Sequence, residues 1–316
     1  MNNFVSDKNI KRQNLFTNKY DSFLLYQKYE YIWVWIKRIF LVLFIFFVVF
    51  QFLNKNNNNN VEHVGLIDID GPIFNSYYAN SENFSRSMNL AYKSKGLKAI
   101  ILRINSPGGS PVQADYIYNI VQYYRKNFPK IKIYSVCSDI CTSAAYYIAS
   151  GTEYIYANPS SIIGSIGVLY NGFGFVDTIK KLGISRRVYT SGENKNFLDS
   201  FLPIKSYQLK VLHRILFDIH KQFIKQVIKG RGNRLKINKY KNIFSGIFWT
   251  GIDAKTIGLI DGFASSDQVA FDILKINKVI NYSYKYNIIE KFFKTMIMSV
   301  MSQFSMIFKF DNEIRY

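Results

Sequence analysis

Two short runs carry residue types whose spacing could do chemistry. The first is Asn105-Ser106-Pro107-Gly108-Gly109-Ser110, which follows the apolar run AIILRI and precedes a helical pattern. Proline fixes the turn, and two glycines allow bare backbone N–H groups to face a ligand. The second is Cys141-Thr142-Ser143-Ala144-Ala145-Tyr146-Tyr147, at the end of the next apolar run. Small neighbours leave the Ser143 hydroxyl open, with the Ala144 N–H pointing the same way. Open α/β sheets gather their sites at such strand-to-helix turns, so the two can share a pocket.

Ser143 has two readings on these residues alone: a helix N-cap, which is common, and a nucleophile. A nucleophile needs a base. The three histidines are His63, beside a polar run, and His213 and His220, seven apart on one helical pattern. A Ser-His-Asp triad is therefore not expected. A lysine made neutral by burial can serve instead, at a differential of roughly 4 kcal/mol for three pKa units. Spacing does not single out one lysine. Cys137 and Cys141 form no disulfide framework and no zinc signature, and are expected as small packed side chains.

The elements that must hold these turns follow from periodicity. From Val61 onward, short β-rich runs alternate with helical patterns: VGLIDIDG, residues 80–95, AIILRI, residues 112–128, IKIYSV and residues 143–149. Strands separated by helices of this length imply βαβ crossovers and a largely parallel sheet buried on both faces, an α/β domain. The pattern continues through EYIYAN, a loop to Ile163, the runs IGVLYNGFGF and SRRVYT flanking a helix near 176–182, and a long helix at 206–229. Leu209, Leu212, Leu216, Phe223 and Val227 on that helix are expected to pack in the core. Residues 251–257 and 265–275 read as two closing helices. The tail repeats Phe292, Met296, Val300, Phe304 and Phe308 at four-residue steps, the pattern of an amphipathic helix for a membrane surface or a partner subunit.

With 316 residues, 48% apolar and 20% charged, the chain can bury a core and is not a disordered polymer. Its net charge of +20 is spread thinly and comes with no helix-turn-helix, finger or RNA-binding signature, so no nucleic-acid partner is expected. Residues 39–53 contain no charge and one polar residue, Gln51. They make a helix of roughly 22 Å, short for a bilayer core of about 30 Å. No small-residue cleavage site follows, since the first alanine is Ala79, so this segment is expected to remain as a signal-anchor. Tyr31, Trp33 and Trp35 form an aromatic belt before it, and basic residues concentrate on its N-terminal side. The N-terminus is then cytoplasmic and the rest extracytoplasmic. The expected organisation is a basic segment 1–38, the transmembrane helix 39–53, an Asn-rich tether 54–60, a catalytic domain 61–278 and a basic amphipathic tail 279–316.

Together GLIDIDGPI, ILRINSPGGSPVQAD, CTSAAYYIAS, YANPSSIIGSIGVL, TSGENKNFLDSF and FWTGIDAKTIGLIDG resemble the signal peptide peptidase A family in its short form, over residues 61–274. The resemblance implies the spiral of repeated ββα units shared by Clp-type proteases and crotonases. It also implies a serine endopeptidase anchored in the bacterial inner membrane, with its domain on the periplasmic side, that degrades signal-peptide remnants and similar apolar peptides. Carried over by position, Ser143 is the nucleophile, Lys195 the general base and Ser165 the serine that hydrogen-bonds the lysine. Backbone N–H groups of Gly108, Gly109 and Ala144 form the oxyanion hole. No metal or cofactor is implied. Family members form dome-like homo-oligomeric rings in which neighbouring chains share a site. Ala144 departs from the family's usual glycine, and positive φ there would cost about 1–2 kcal/mol. Two rivals stand beside this reading: a catalytically silent membrane scaffold of the same fold, and a crotonase-like acyl-CoA enzyme, which would have no use for Ser143 or Lys195.

Overall fold

A computed structural model describes residues 61–284, together with Lys28 and a few residues between 32 and 47. The chain divides into two units, Met1–Asn60 and Val61–Tyr316. In the first, the described residues Ile32, Trp33, Leu43, Phe47 and 35–40 are helical and exposed. Lys37 lies over the Trp33 ring and Arg38 over the Trp35 ring, each at 5.7 Å. Among the described residues no helix is long and apolar enough to cross a membrane. Most of the expected anchor 39–53, all of the tether 54–60 and the tail beyond Tyr284 lie outside the described residues.

The second unit is a mixed α/β domain on an eight-stranded, mostly parallel sheet. Strand β1 (His63–Asp70) leads through α1 (Ser81–Tyr92) to β2 (Leu97–Ser106), then through α2 (Pro111–Asn127) to β3 (Lys132–Thr142). A short helix α3 (Ala144–Ala149) follows, then β4 (Tyr154–Ala157) and β5 (Ile162–Gly164). After α4 (Val176–Lys181) and the long α5 (Ser206–Arg231) come β6 (Phe248–Thr250), α6 (Gly251–Ile257) and β7 (Gly262–Phe263). A turn of helix α7 (Ser266–Gln268), continued as a π-helical turn Val269–Ile273, and β8 (Val279–Asn281) close the domain. The sheet runs β6-β5-β3-β2-β1-β8, with β4 pairing β3 and β7, and among the described residues only β5 and β6 run antiparallel.

Alternation decides which side chain meets which face. Val64 and Leu66 of β1, Ala99 and Ile101 of β2, and Tyr134 and Val136 of β3 join Val269 and Ala270 in a smaller core. Their neighbours Ile67, Ile69, Ile100, Leu102, Ile104 and Ile133 enter the larger core with α1, α2, α3 and the end of α5. Both faces are covered, which is why these strands read as continuous apolar runs. One irregularity lies beside the site. Ile104 pairs with Cys137 and Ser106 with Cys141, so four steps along β3 face two along β2. Within the bulge the Ile140 N–H donates to Asn105 Oδ1, and Ser161 donates to the Ser138 carbonyl.

The structure differs from the sequence expectation in three places. Neither IGVLYNGFGF nor SRRVYT forms a strand, because residues 165–175 and 184–190 find no sheet edge to pair with. The sheet extends past residue 278, since β8 pairs with β1 and the buried His63 accepts or donates at the Tyr282 hydroxyl, 2.8 Å away. On α5, Phe223 and Val227 are buried as expected, but Leu209 is exposed and Leu212 and Leu216 are only half-buried. In the N-terminal half of that helix only Gln208 is buried, and Leu209 and Leu212 border a cavity shared with residues 170–204.

A buried ionic lock fixes the C-terminal end of α5. Arg231, almost wholly buried, donates from both terminal nitrogens to Asp261 at 2.8 and 2.9 Å, and from Nε to the Gly258 carbonyl. Asp261 also accepts from Arg234 and the Ile155 N–H.

Candidate active site

Turns after β2, β3 and β5 converge. At the first, Gly108 has φ 107°, and a side chain there would place its Cβ 2.7 Å from Ser143 Cβ. A Cβ on Gly109 would fall 2.2 Å from the Ile73 carbonyl oxygen. That approach is used: Ile73 N–H donates to the Gly108 carbonyl at 2.9 Å, and Ser110 N–H to the Ile73 carbonyl at 2.8 Å. Ser110 then caps α2 through the Gln113 N–H, with Pro111 in its first turn. Thr142 Oγ1 donates to the Pro107 carbonyl at 3.1 Å, joining the first turn to the second. Ser143 N–H donates to the Gly164 carbonyl at 2.8 Å, joining the second to the third.

Ser143 immediately precedes α3, yet its side chain makes no capping bond, and its backbone sits at φ 54°, ψ −125°. The N-cap reading is thereby overturned. An N-cap has extended backbone and gives its oxygen to the helix, as Asn80, Ser110 and Thr250 do here. A non-glycine residue in such a region stores about 1–3 kcal/mol, and such strain concentrates at functional positions. Positive φ therefore falls on Ser143 and not on Ala144, which opens α3 and sits in the core. The expected cost of alanine there does not arise. Ser165 shows a second strained backbone, φ 50°, with its N–H donated to the Ile247 carbonyl.

Of the three amides expected to face a ligand, Gly108 N–H is committed to the buried Ser106 Oγ at 3.1 Å. Among the described residues Gly109 N–H and Ala144 N–H donate to nothing. Gly109, Ser143, Ala144 and Ser165 line one cavity of about 1030 Å³, with Phe74, Val112, Tyr116, Tyr147, Leu169, Ile219 and Phe223 among its apolar walls. Two paired amides beside a strained serine at a sheet's carboxyl end can bind a carbonyl oxygen and present a hydroxyl to its carbon.

Lys195 is not brought to this cavity. It lies exposed in the turn 191–199, where its N–H donates to the Gly192 carbonyl. No histidine lines the cavity either: His220 hydrogen-bonds the Ile166 carbonyl at 3.1 Å and steadies the Ser165 turn, while His213 is exposed. Cys137 and Cys141 are buried free thiols, and burial, then the neighbouring Cys137, pushes Cys141 well up. Among the described residues no cluster of His, Cys, Asp and Glu could hold a metal ion.

Sequence reasoning passed over Asp115, Tyr147 and Gln222, which meet in the cavity. Tyr147 Oη donates to Asp115 Oδ1 at 2.7 Å and Gln222 Nε2 to the same oxygen at 3.0 Å. Burial, then the bond to and charge of Asp115, push the Tyr147 phenol well above its ordinary value. Asp115 and Tyr147 both stand in the quoted motifs, but their meeting across α2 and α3 has no sequence signal.

Residues 125–279 match the family described as peptidase family S49. The chain is 41% identical over 181 residues to a protein of Brucella melitensis named Na(+)/H(+) antiporter NhaA, a match covering 57% of this chain and 24% of that protein. It is 28% identical over 206 residues to a protein of Enterococcus faecium provisionally named signal peptide peptidase SppA, covering 65% of this chain and 58% of that one. It is 28% identical over 216 residues to Protease 4 of Haemophilus influenzae, covering 65% of this chain and 33% of that one. In each case the chain spans less than two thirds of the relative's length. The family match includes Ser143, Ser165 and Lys195, and begins after the Gly108-Gly109 turn.

Proposed function

We propose, from the premise that this chain carries a peptidase family S49 domain of the signal peptide peptidase A type, that it is a membrane-anchored serine endopeptidase acting on apolar peptides such as signal-peptide remnants. Ser143 Oγ attacks the peptide carbonyl, and the oxygen is held by the N–H groups of Gly109 and Ala144. Lys195 accepts the Ser143 proton, passes it to the leaving amine, and later takes a proton from the water that releases the acyl group. One amide donor of this kind is typically worth about 3–4 kcal/mol in the transition state.

The observation that carries the reading is the strained, uncapped Ser143 between two unengaged amides. The succession of parallel strands and helices, with β4 branching from β3 toward β7, agrees with a spiral of ββα units.

Because Lys195 lies outside its own chain's cavity, the dyad in this reading forms between neighbouring copies in a ring. Support comes from residues 165–204, the segment that carries it. Leu169, Phe173, Leu182 and Tyr189 are 76, 81, 68 and 92% exposed, an apolar surface suited to another copy. The anchor at 39–53 places the domain on the extracytoplasmic side, tethered near its substrates.

The test compares hydrolysis of an apolar peptide by the full chain with that by Ser143→Ala and Lys195→Ala variants. Loss in both is expected. Unchanged cleavage in either removes that residue from the mechanism.

A further inference from the structure

The cavity mixes apolar and aromatic walls with neutral polar groups, Ser110, Ser143, Ser165, Ser245 and Gln222 among them. Among the described residues Asp115 is the sole carboxylate lining it, and no lysine, arginine or histidine does. Nor does Asp115 belong to an ion pair among the described residues, although the chain carries a charge of +20. Neutral donors hold it: Tyr147 and Gln222 on Oδ1, and Asn119 Nδ2 on Oδ2 at 2.9 Å. An ionised carboxylate has about four lone-pair positions. Three are filled here, which leaves one on Oδ2.

Asp115 stands one turn into α2, directly after the Gly109-Ser110 turn, so the element that supplies an oxyanion donor also carries this carboxylate into the same cavity. Tyr116, Tyr147 and Phe223 line the approach. Such walls pack a long methylene stem and favour a planar cation over their faces.

We propose that Asp115 is a specificity-determining residue, forming a subsite that accepts a basic side chain, arginine above all, from an otherwise apolar peptide. The inference rests on the peptidase reading and adds to it a charge that the substrate must carry. The guanidinium suits the site better than an ammonium because its planar fork can meet Oδ2 while lying against the tyrosine rings. Within the fold the same carboxylate ties α2 to α3 and α5, and the test separates that tie from recognition.

Binding is measured on the full chain bearing Ser143→Ala, so that no turnover is needed. The probes are short apolar peptides with one arginine at successive positions, and the same peptides with citrulline, its neutral isostere. The best arginine peptide is expected to bind about tenfold or more tightly than its citrulline partner, the size of a hydrogen bond to a charged group. Adding Asp115→Asn brings the pair to near parity, and Asp115→Glu restores the preference. Parity with Asp115 intact, a preference that survives Asp115→Asn, or no binding by any peptide overturns the proposal. If arginine-selective binding is found but the unmodified chain cleaves neither peptide, the subsite stands and the peptidase reading falls.

Discussion

The amide of Ser143 donates to the carbonyl of Gly164, the residue immediately before Ser165. One hydrogen bond thus couples the two strained serines of the cavity, at φ 54° and φ 50°, and neither turn can relax without shifting the other. Gly164 itself has φ 99°, so this junction holds three residues, Ser143, Gly164 and Ser165, away from ordinary backbone.

Strain at Ser143 sets stability against activity. Glycine adopts φ 54° without a Cβ penalty, so Ser143→Gly is expected to raise unfolding free energy by about 1 kcal/mol while abolishing peptide hydrolysis. Denaturant unfolding and a hydrolysis assay on one preparation check both. A variant that is less stable would remove the strain argument.

Gly109 is held by contact with Ile73. Gly109→Ala puts a methyl against the Ile73 carbonyl and is expected to cost about 1–3 kcal/mol. Displacing the amide lowers kcat by roughly 10²–10³ with little change in KM. Gly71→Ala, where a Cβ meets open space but φ is 73°, carries backbone strain without the clash, and as the control leaves kcat in place.

The α5 lock gives a pH signature. Burial alone would raise Asp261, but bonds to and the charge of Arg231, with the Ile155 N–H and Arg234, outweigh it and hold the carboxyl below its ordinary 3.8. A carboxyl depressed in the folded state stabilises fully above its unfolded pKa of about 3.9 and loses that contribution as pH falls through the folded value. Acid titration of stability should therefore drop more steeply below pH of about 4 in the parent than in Asp261→Asn. The variant, which leaves Arg231 buried and unpaired, should be about 3–5 kcal/mol less stable near neutrality.

A dyad shared between copies predicts complementation. Mixed and reassembled, the inactive Ser143→Ala and Lys195→Ala chains should recover roughly a quarter of the parent hydrolysis, because some interfaces then pair an intact serine with an intact lysine. Hydrolysis measured after refolding from a common denaturant reads this out. Absence of recovery, with rings formed, places both groups in one chain.

The sheet and the meeting of the Gly108-Gly109 and Ser143 turns were legible in the sequence, because apolar strands alternating with helices of matched length leave few arrangements. What escaped was what only packing decides. The helical period of Leu209, Leu212 and Leu216 marks a face able to be buried, but not what covers it, and in the first half of α5 only Gln208 is buried. The β-rich run 166–175 lacks a pairing edge, with Gly167, Gly172 and Gly174 adding backbone freedom. Ser143 looked like an N-cap because residue type carries no record of φ. Lys195 was placed by resemblance, and its own chain leaves it outside the cavity.

The bulge in β3 acts as a spacer of two residues. An even excess keeps Cys137 and Cys141 on the same side of the pleat, so the interior is undisturbed, while the strand's end is carried forward past its neighbour. Shortening the chain by two positions among Ser138, Asp139 and Ile140 would leave the side chains in phase and draw Ser143 back toward the sheet. The position of Ser143 relative to the sheet is thus set by strand length, separately from the residue types in the turn.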